Sequence, residues 1–121
     1  MIPISIYVVF IIVVVGLYAQ NIIFNSMLFY PSRKIPPRIL NTNFVEKNIT
    51  CENCETINLV HFNNPFSDKI IIISHGNADN IWDIQPNIKY LSQFCSIIAY
   101  DYRGYGKSTG SPSEQNIFED I

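Results

Sequence analysis

The chain has 121 residues, 48% of them hydrophobic and 15% charged, with eight Lys and Arg against ten Asp and Glu for a net charge of −2. That length bounds it to one small domain, and a weak negative charge with no basic stripe interleaved with aromatics excludes nucleic acid as a partner. Three cysteines decide little by number.

Residues 2–19 carry no charge and are dominated by Ile, Val, Phe, Tyr and Leu. As a helix rising 1.5 Å per residue the run reaches roughly 27 Å, close to the ~30 Å hydrocarbon core of a bilayer. It reads as an uncleaved single-pass anchor over residues 1–20, with the lipid bilayer as partner. A signal peptide is the nearest competitor, but it wants a basic leading region and only the amino terminus is positive before Arg33. A buried core helix is the third alternative, against which the uniform apolarity counts. Arg33, Lys34 and Arg38 follow the span and favour a cytosolic body, whereas the sequon Asn48-Ile49-Thr50 has meaning only in a lumen. The basic residues are given the greater weight.

Residues 21–43 mix aromatics with prolines, which prevent a long helix and predict an extended linker against the body. From residue 44 to 121 the pattern is that of a folded domain. Residues 44–49 and 55–62 alternate as two antiparallel strands, with Ile57, Leu59 and His61 on one face, so His61 reads as a strand-face residue rather than a ligand. Cys51 and Cys54 flank Glu52-Asn53 at the hairpin tip. They read as ordinary turn residues, with a short disulfide as the alternative; no second ligand pair is spaced for zinc, and no metal site is expected.

Lys69 is followed by four isoleucines and Ser74, a run that predicts a central parallel strand covered on both faces. Ile84, Ile88, Leu91 and Cys95 then recur at helical steps, with Pro86 tolerable in a first turn. Residues 96–101 form a second buried strand, which closes one right-handed βαβ unit. Gly104, Gly106 and Gly110 follow in a loop, and Ser111-Pro112-Ser113-Glu114 predicts a capping box with Ser111 at the N-cap and Glu114 at N3. Ile117, Phe118 and Ile121 begin one more helical stripe, at which the sequence stops in mid-architecture. The fold class is α/β: an incomplete sheet of hairpin plus βαβ unit, behind a transmembrane helix.

The glycine loop resembles three motifs. A phosphate-binding loop would place its first glycine where Asp101 stands, and an anion there repels phosphate. A dinucleotide fingerprint would need a third glycine where Thr109 stands. Gly106-Lys107-Ser108-Thr109-Gly110 does match G-x-S-x-G, but in a nucleophile elbow the strand turns at once through Ser into a helix. Ser108 lies seven residues beyond the strand end, so the loop reads as a structural turn across which Tyr102, Arg103 and Tyr105 pack. His75-Gly76-Asn77-Ala78 is more informative, because it follows a buried parallel strand where α/β sheets place their ligand crevices. The amides of Asn77 or Ala78 are candidates to face negative charge on an acyl oxygen. His75, with no carboxylate at a compelling place, reads as a brace for the loop rather than a base.

The pair IIIISHGNADN and IIAYDYRGYGKSTGSPSE resembles the amino-terminal half of serine α/β-hydrolases, particularly membrane-associated abhydrolase-domain proteins similar to the depalmitoylating thioesterases. The resemblance runs roughly over residues 44–121, and the anchor and LFYPS segment fit it. It implies that His75, Gly76, Asn77 and Ala78 form the oxyanion loop. It also implies that Asp101, Tyr102, Arg103, Gly104, Tyr105, Gly106 and Ser108 belong to a structural turn. In that family the nucleophile, acid and catalytic histidine all come later. The expectation is therefore a fragment or split protein with no triad of its own and no cofactor, which would act on an acyl ester or thioester once a second polypeptide supplied the missing half. The alternative is a non-catalytic, membrane-anchored binding or interaction module.

Overall fold

The computed structural model describes residues 3–37 and 44–121, which divide into two units, Met1–Tyr30 and Pro31–Ile121. Ile2, Arg38 and the last part of the expected linker, 38–43, lie outside the described residues.

The first unit is helix α1, Ile4–Leu28, of 25 residues, none of them buried. It is long and apolar enough to cross a membrane, extending roughly 37 Å at 1.5 Å per residue. It runs past the expected end of the span, because no proline interrupts the chain before Pro31 and the polar residues find helical partners. Asn25 Nδ2 donates to Asn21 Oδ1 at 3.0 Å, and Ser26 Oγ to Ile23 O at 2.7 Å. Residues 21–28, expected as linker, are thus helical, and Phe29 N–H closes the end on Asn25 O.

The second unit is built on a four-stranded sheet: β1 (Phe44–Thr50), β2 (Thr56–Phe62), β3 (Ile70–Ser74) and β4 (Ser96–Tyr100), in the order β1-β2-β4-β3. β1 and β2 form the expected hairpin, with Phe44 opposite Phe62 and Ile49 opposite Ile57. Cys54 turns its tip with φ 65°, and Cys51, Cys54 and Cys95 are free thiols. β2 runs antiparallel to β4, and β3 parallel to it, with Ile72 beside Ile98.

Between β3 and β4 lies α2 (Gln85–Leu91), with Pro86 in its first turn. The core joins Val60 and Phe62 of β2 and Ile97 and Ala99 of β4 to Ile81, Trp82, Ile88 and Cys95. Ile84 and Leu91 pack against it, so the predicted stripe does face the sheet. Each large side chain so buried contributes about 1.5–3 kcal/mol, enough to fix which sheet face is inside. The helix itself is shorter than the stripe: Ser92 is its C-cap, and the remaining residues reach Cys95 as turn.

Two expectations are corrected. β3 is not central among the described strands, since only β4 pairs with it, and Ile70, Ile71 and Ile72 are 59, 38 and 67% exposed. A run of β-branched residues specifies a strand with two apolar faces; it does not specify what covers them. The central parallel strand is β4. Helix α3 (Glu114–Asp120) is capped by Ser113, whose Oγ accepts Asn116 N–H at 3.1 Å, and not by Ser111. Ser111 gives its carbonyl to Asn116 Nδ2 instead.

Candidate functional site

Parallel pairing places Ser74 beside Tyr100, so the carboxyl ends of β3 and β4 emerge together and bring two turns side by side. Ser74 Oγ and Tyr100 Oη are 2.8 Å apart. Burial pushes the Tyr100 phenol up to about 12.

Residues 75–78 form the first turn. His75 is buried, with its ring centroid 5.1 Å from those of Tyr102 and Tyr105. Its Nδ1 lies 2.8 Å from Gly76 O, and since a carbonyl only accepts, the ring proton is assigned to Nδ1. Nε2 faces Asp101 Oδ1 at 3.7 Å, both side chains being fully inaccessible. That distance is electrostatic contact rather than a hydrogen bond. No carboxylate near His75 in the chain is placed to partner it, but the sheet brings one in from 26 positions away, because both residues directly follow paired strand ends. Gly76, Asn77 and Ala78 are exposed. The amides of Ala78 and Asp79 both point back to Gly76 O, at 3.2 Å.

The second turn begins at Asp101. Its carboxylate accepts Ile81 N–H at 2.8 Å and Lys107 N–H at 3.2 Å. Burial holds the carboxyl above its usual range, although those amides and His75 pull the other way. Gly106, at φ +49°, is required here, since a Cβ would overlap the Asp101 carboxylate; at Gly104, φ +85°, it would meet Pro112. Tyr105 lies between these glycines, 2% exposed, and its hydroxyl donates to Asn77 Oδ1 at 2.6 Å.

Ser108 is wholly buried. Its Oγ donates to Asp101 O at 2.6 Å and accepts Asn58 N–H at 2.9 Å, which straps the loop to β2. Thr109 continues this pairing, its Oγ1 accepting Thr56 N–H at 2.7 Å. Arg103 is 2% exposed and bonds Asp120 at 2.6 Å and Glu119 at 2.8 Å, fastening α3 to the turn. Burial alone would lower the Arg103 pKa, but these carboxylates outweigh it and raise it. Glu119 is correspondingly held below its usual range by the hydrogen bond from Arg103.

Asn58 and Asn80 escaped sequence reasoning because an isolated asparagine carries no periodic signal. Asn80 is fully buried, donates from Nδ2 to Lys34 O at 3.0 Å and accepts Trp82 N–H at 2.9 Å. With Gly106 N–H on Ser32 O at 2.8 Å, it seats the segment before residue 38 on the site. A cleft of about 770 Å³ opens between the hairpin tip and α3, but it is lined by Cys51, Asn53, Arg103 and Glu119 and not by residues 75–78. The cation lining it, Arg103, is already committed to carboxylates, which leaves the paired strand ends as the better candidate. Among the described residues no three His, Cys, Asp or Glu side chains are grouped to hold a metal ion.

No family model matches the chain. It is 41% identical over 59 residues to the alpha/beta hydrolase domain-containing protein aho-3 of Caenorhabditis elegans, covering 47% of this chain and 18% of that protein. To alpha/beta hydrolase domain-containing protein 17C of Homo sapiens the figures are the same, 41% over 59 residues, 47% and 18%. A putative alpha/beta hydrolase of Acanthamoeba polyphaga mimivirus is 37% identical over 89 residues, or 68% of this chain and 34% of that one. The chain therefore spans about a third or less of the curated relatives it matches. Among solved structures it superposes on the Pyrococcus furiosus esterase Pf2001 with a TM-score of 0.63 and 26% identity, over 74% of this chain and 36% of the esterase. A sheet shared with an esterase, two glycine turns at its carboxyl end and relatives named for the same domain together place this chain in the α/β-hydrolase-domain family.

Proposed function

We propose that the chain forms the oxyanion side of a membrane-anchored serine hydrolase of acyl esters or thioesters, whose nucleophile, acid and base are supplied from outside these 121 residues. The observation that carries this reading is the His75 to Ala78 turn at the carboxyl end of β3, held from beneath by the buried His75 and from the side by Tyr105. With the Ala78 and Asp79 amides turned toward Gly76 O, the Asn77 amide is the donor that would stabilise negative charge on the acyl oxygen of a tetrahedral intermediate, a contribution of about 2.7–4 kcal/mol for one donor in a preorganised site. Ser108 is not the nucleophile in this reading. Its proton is given to Asp101 O, its lone pair to Asn58 N–H, and no solvent reaches it. His75 and Asp101 frame the turn. Helix α1 supports the anchor, and Arg33 and Lys34 after it favour a cytosolic body.

The same commitment of Ser108 favours a second reading, a non-catalytic binding module that keeps the turn without the chemistry. The two separate in one experiment. Hydrolysis of p-nitrophenyl esters and acyl thioesters, and labelling by a fluorophosphonate, are measured for the chain alone and with the carboxyl-terminal part of a related hydrolase added as a second polypeptide. Turnover only in the mixture, dependent on the added serine and indifferent to Ser108→Ala, supports the hydrolase. No turnover in either supports the module, and fluorophosphonate bound at Ser108 overturns both.

A further inference from the structure

We infer that Tyr105 is the positioning residue of the His75 to Ala78 turn: its hydroxyl, through Asn77, fixes the conformation in which that turn meets an acyl oxygen. The functional meaning rests on the reading just proposed; the physical claim stands on the contact itself.

The two turns are unequally buried. Residues 101–108 are bound from several directions: the Asp101 carboxylate takes two backbone amides, Gly106 N–H bonds Ser32 O at 2.8 Å, and Ser108 N–H bonds Tyr105 O at 2.9 Å. Gly104 and Gly106 hold positive φ on either side of Tyr105, each against a group that admits no Cβ. The direction of the Tyr105 side chain is thereby set by its own backbone, and its ring is buried against His75. The turn at 76–78 is exposed; Gly76 O takes the buried His75 Nδ1 at 2.8 Å, and its two backbone bonds within the turn are both 3.2 Å. Beside these, the bond from Tyr105 Oη to Asn77 Oδ1 is 2.6 Å and runs from the buried turn to the side chain of the exposed one. A short bond between a buried donor and a side chain on an exposed loop orders the loop more than it orders the donor.

The donor also defines chemistry. A phenol donates one hydrogen bond, so position 77 must present an acceptor: carboxamide or carboxylate serves, an aliphatic residue does not. Tyr105→Phe keeps the ring on His75 and removes only the donor.

The test is backbone amide exchange and side-chain amide NMR of the full chain in detergent micelles. Tyr105→Phe is expected to speed exchange at residues 77–79 about three- to tenfold, the loss of one net hydrogen bond. It should also shift the Asn77 carboxamide resonances while leaving the β4 amides of residues 97–99 at wild-type rates. Asn77→Ala, at an exposed position, should reproduce the faster exchange at 78 and 79, Asn77→Asp should restore slow exchange, and Tyr105→Phe with Asn77→Ala should be no faster than either alone. Exchange at 77–79 within twofold of wild type in Tyr105→Phe, or multiplicative effects in the double variant, overturns the inference. Neither result depends on turnover, so failure of the hydrolase reading appears in the hydrolysis assay and failure of this one in exchange.

Discussion

Ser108 and Asp101 are polar, fully buried and joined to each other through the chain's own carbonyl, and their substitution should report two different quantities. Ser108→Ala strands the Asn58 amide and the Asp101 carbonyl away from water. It should cost about 1–3 kcal/mol, the range for leaving a buried polar group unsatisfied, seen as a lower urea midpoint with unchanged slope. A nucleophilic serine would instead be replaceable by alanine at little cost in stability. Asp101 reports pH. Its folded carboxyl is raised above the ordinary 3.8 by burial, so the protonated form is favoured in the fold, and the associated stability is full below that value and lost as pH rises through the folded pKa. Wild type should therefore lose stability relative to Asp101→Asn as pH rises from about 4. His75, at 3.7 Å, and Asp83 also act on its charge, and Asp101→Asn removes neither. Urea midpoints of both proteins across pH 4–8 give the slope; a constant difference, or one moving in favour of wild type, contradicts this. His75 beside Asp101 was not legible in the sequence, where 26 residues separate them, because only strand register makes them neighbours.

Elements were legible to the extent that their signal is local. The alternation of residues 44–62 predicts a hairpin, and the register pairs Phe44 with Phe62 as that alternation requires. The stripe through Ile88 predicts a helix face, and Ile88 has no exposed surface. What failed depends on geometry beyond the element. Four isoleucines carry the same pattern whether a strand lies at the centre or the edge, and β3 exposes three of them. The helix cap failed for a subtler reason: Ser111 and Ser113 both offer a hydroxyl before a helix, and Pro112 suits the first turn if Ser111 is the cap. Pro112 lies instead so close to Gly104 that a Cβ there would strike it, which carries the helix start two residues on. The caps are separable by mutation. Ser113→Ala should destabilise the second unit by ~1 kcal/mol through loss of its bond to Asn116 N–H, and Ser111→Ala, whose side chain caps nothing, by at most a few tenths. Thermal melts of the two variants decide it, and equal effects would restore Ser111 as the cap.

At the scale of the whole molecule, one unit is a helix with every side chain outside any protein core and the other a half-polar sheet domain, a division that water alone does not favour. Exposed Ile, Val, Phe and Leu over 25 residues would cost far more than the marginal stability of so small a domain. The proposed bilayer removes that cost. The wild-type chain should therefore stay with membranes through carbonate extraction. A Val14→Lys, Leu17→Lys variant, each lysine costing about 2.5–3.5 kcal/mol at mid-span, should be released. Intact wild-type chain in the soluble fraction would remove the anchor from the proposal. The proposed orientation is testable at a second site on the same molecule. Asn48 begins a sequon and is exposed on β1, where its Oδ1 accepts Asn58 Nδ2 at 2.9 Å across the hairpin. With Arg33 and Lys34 retained on the cytosolic side, the second unit never meets the luminal transferase, and Asn48 should remain unmodified when the chain is expressed in eukaryotic cells. Peptide N-glycosidase treatment of membrane-extracted protein measures this. A mass loss that disappears in Asn48→Gln would place the hydrolase-like unit in the lumen and reverse the proposed topology, while leaving the geometry of the two turns untouched.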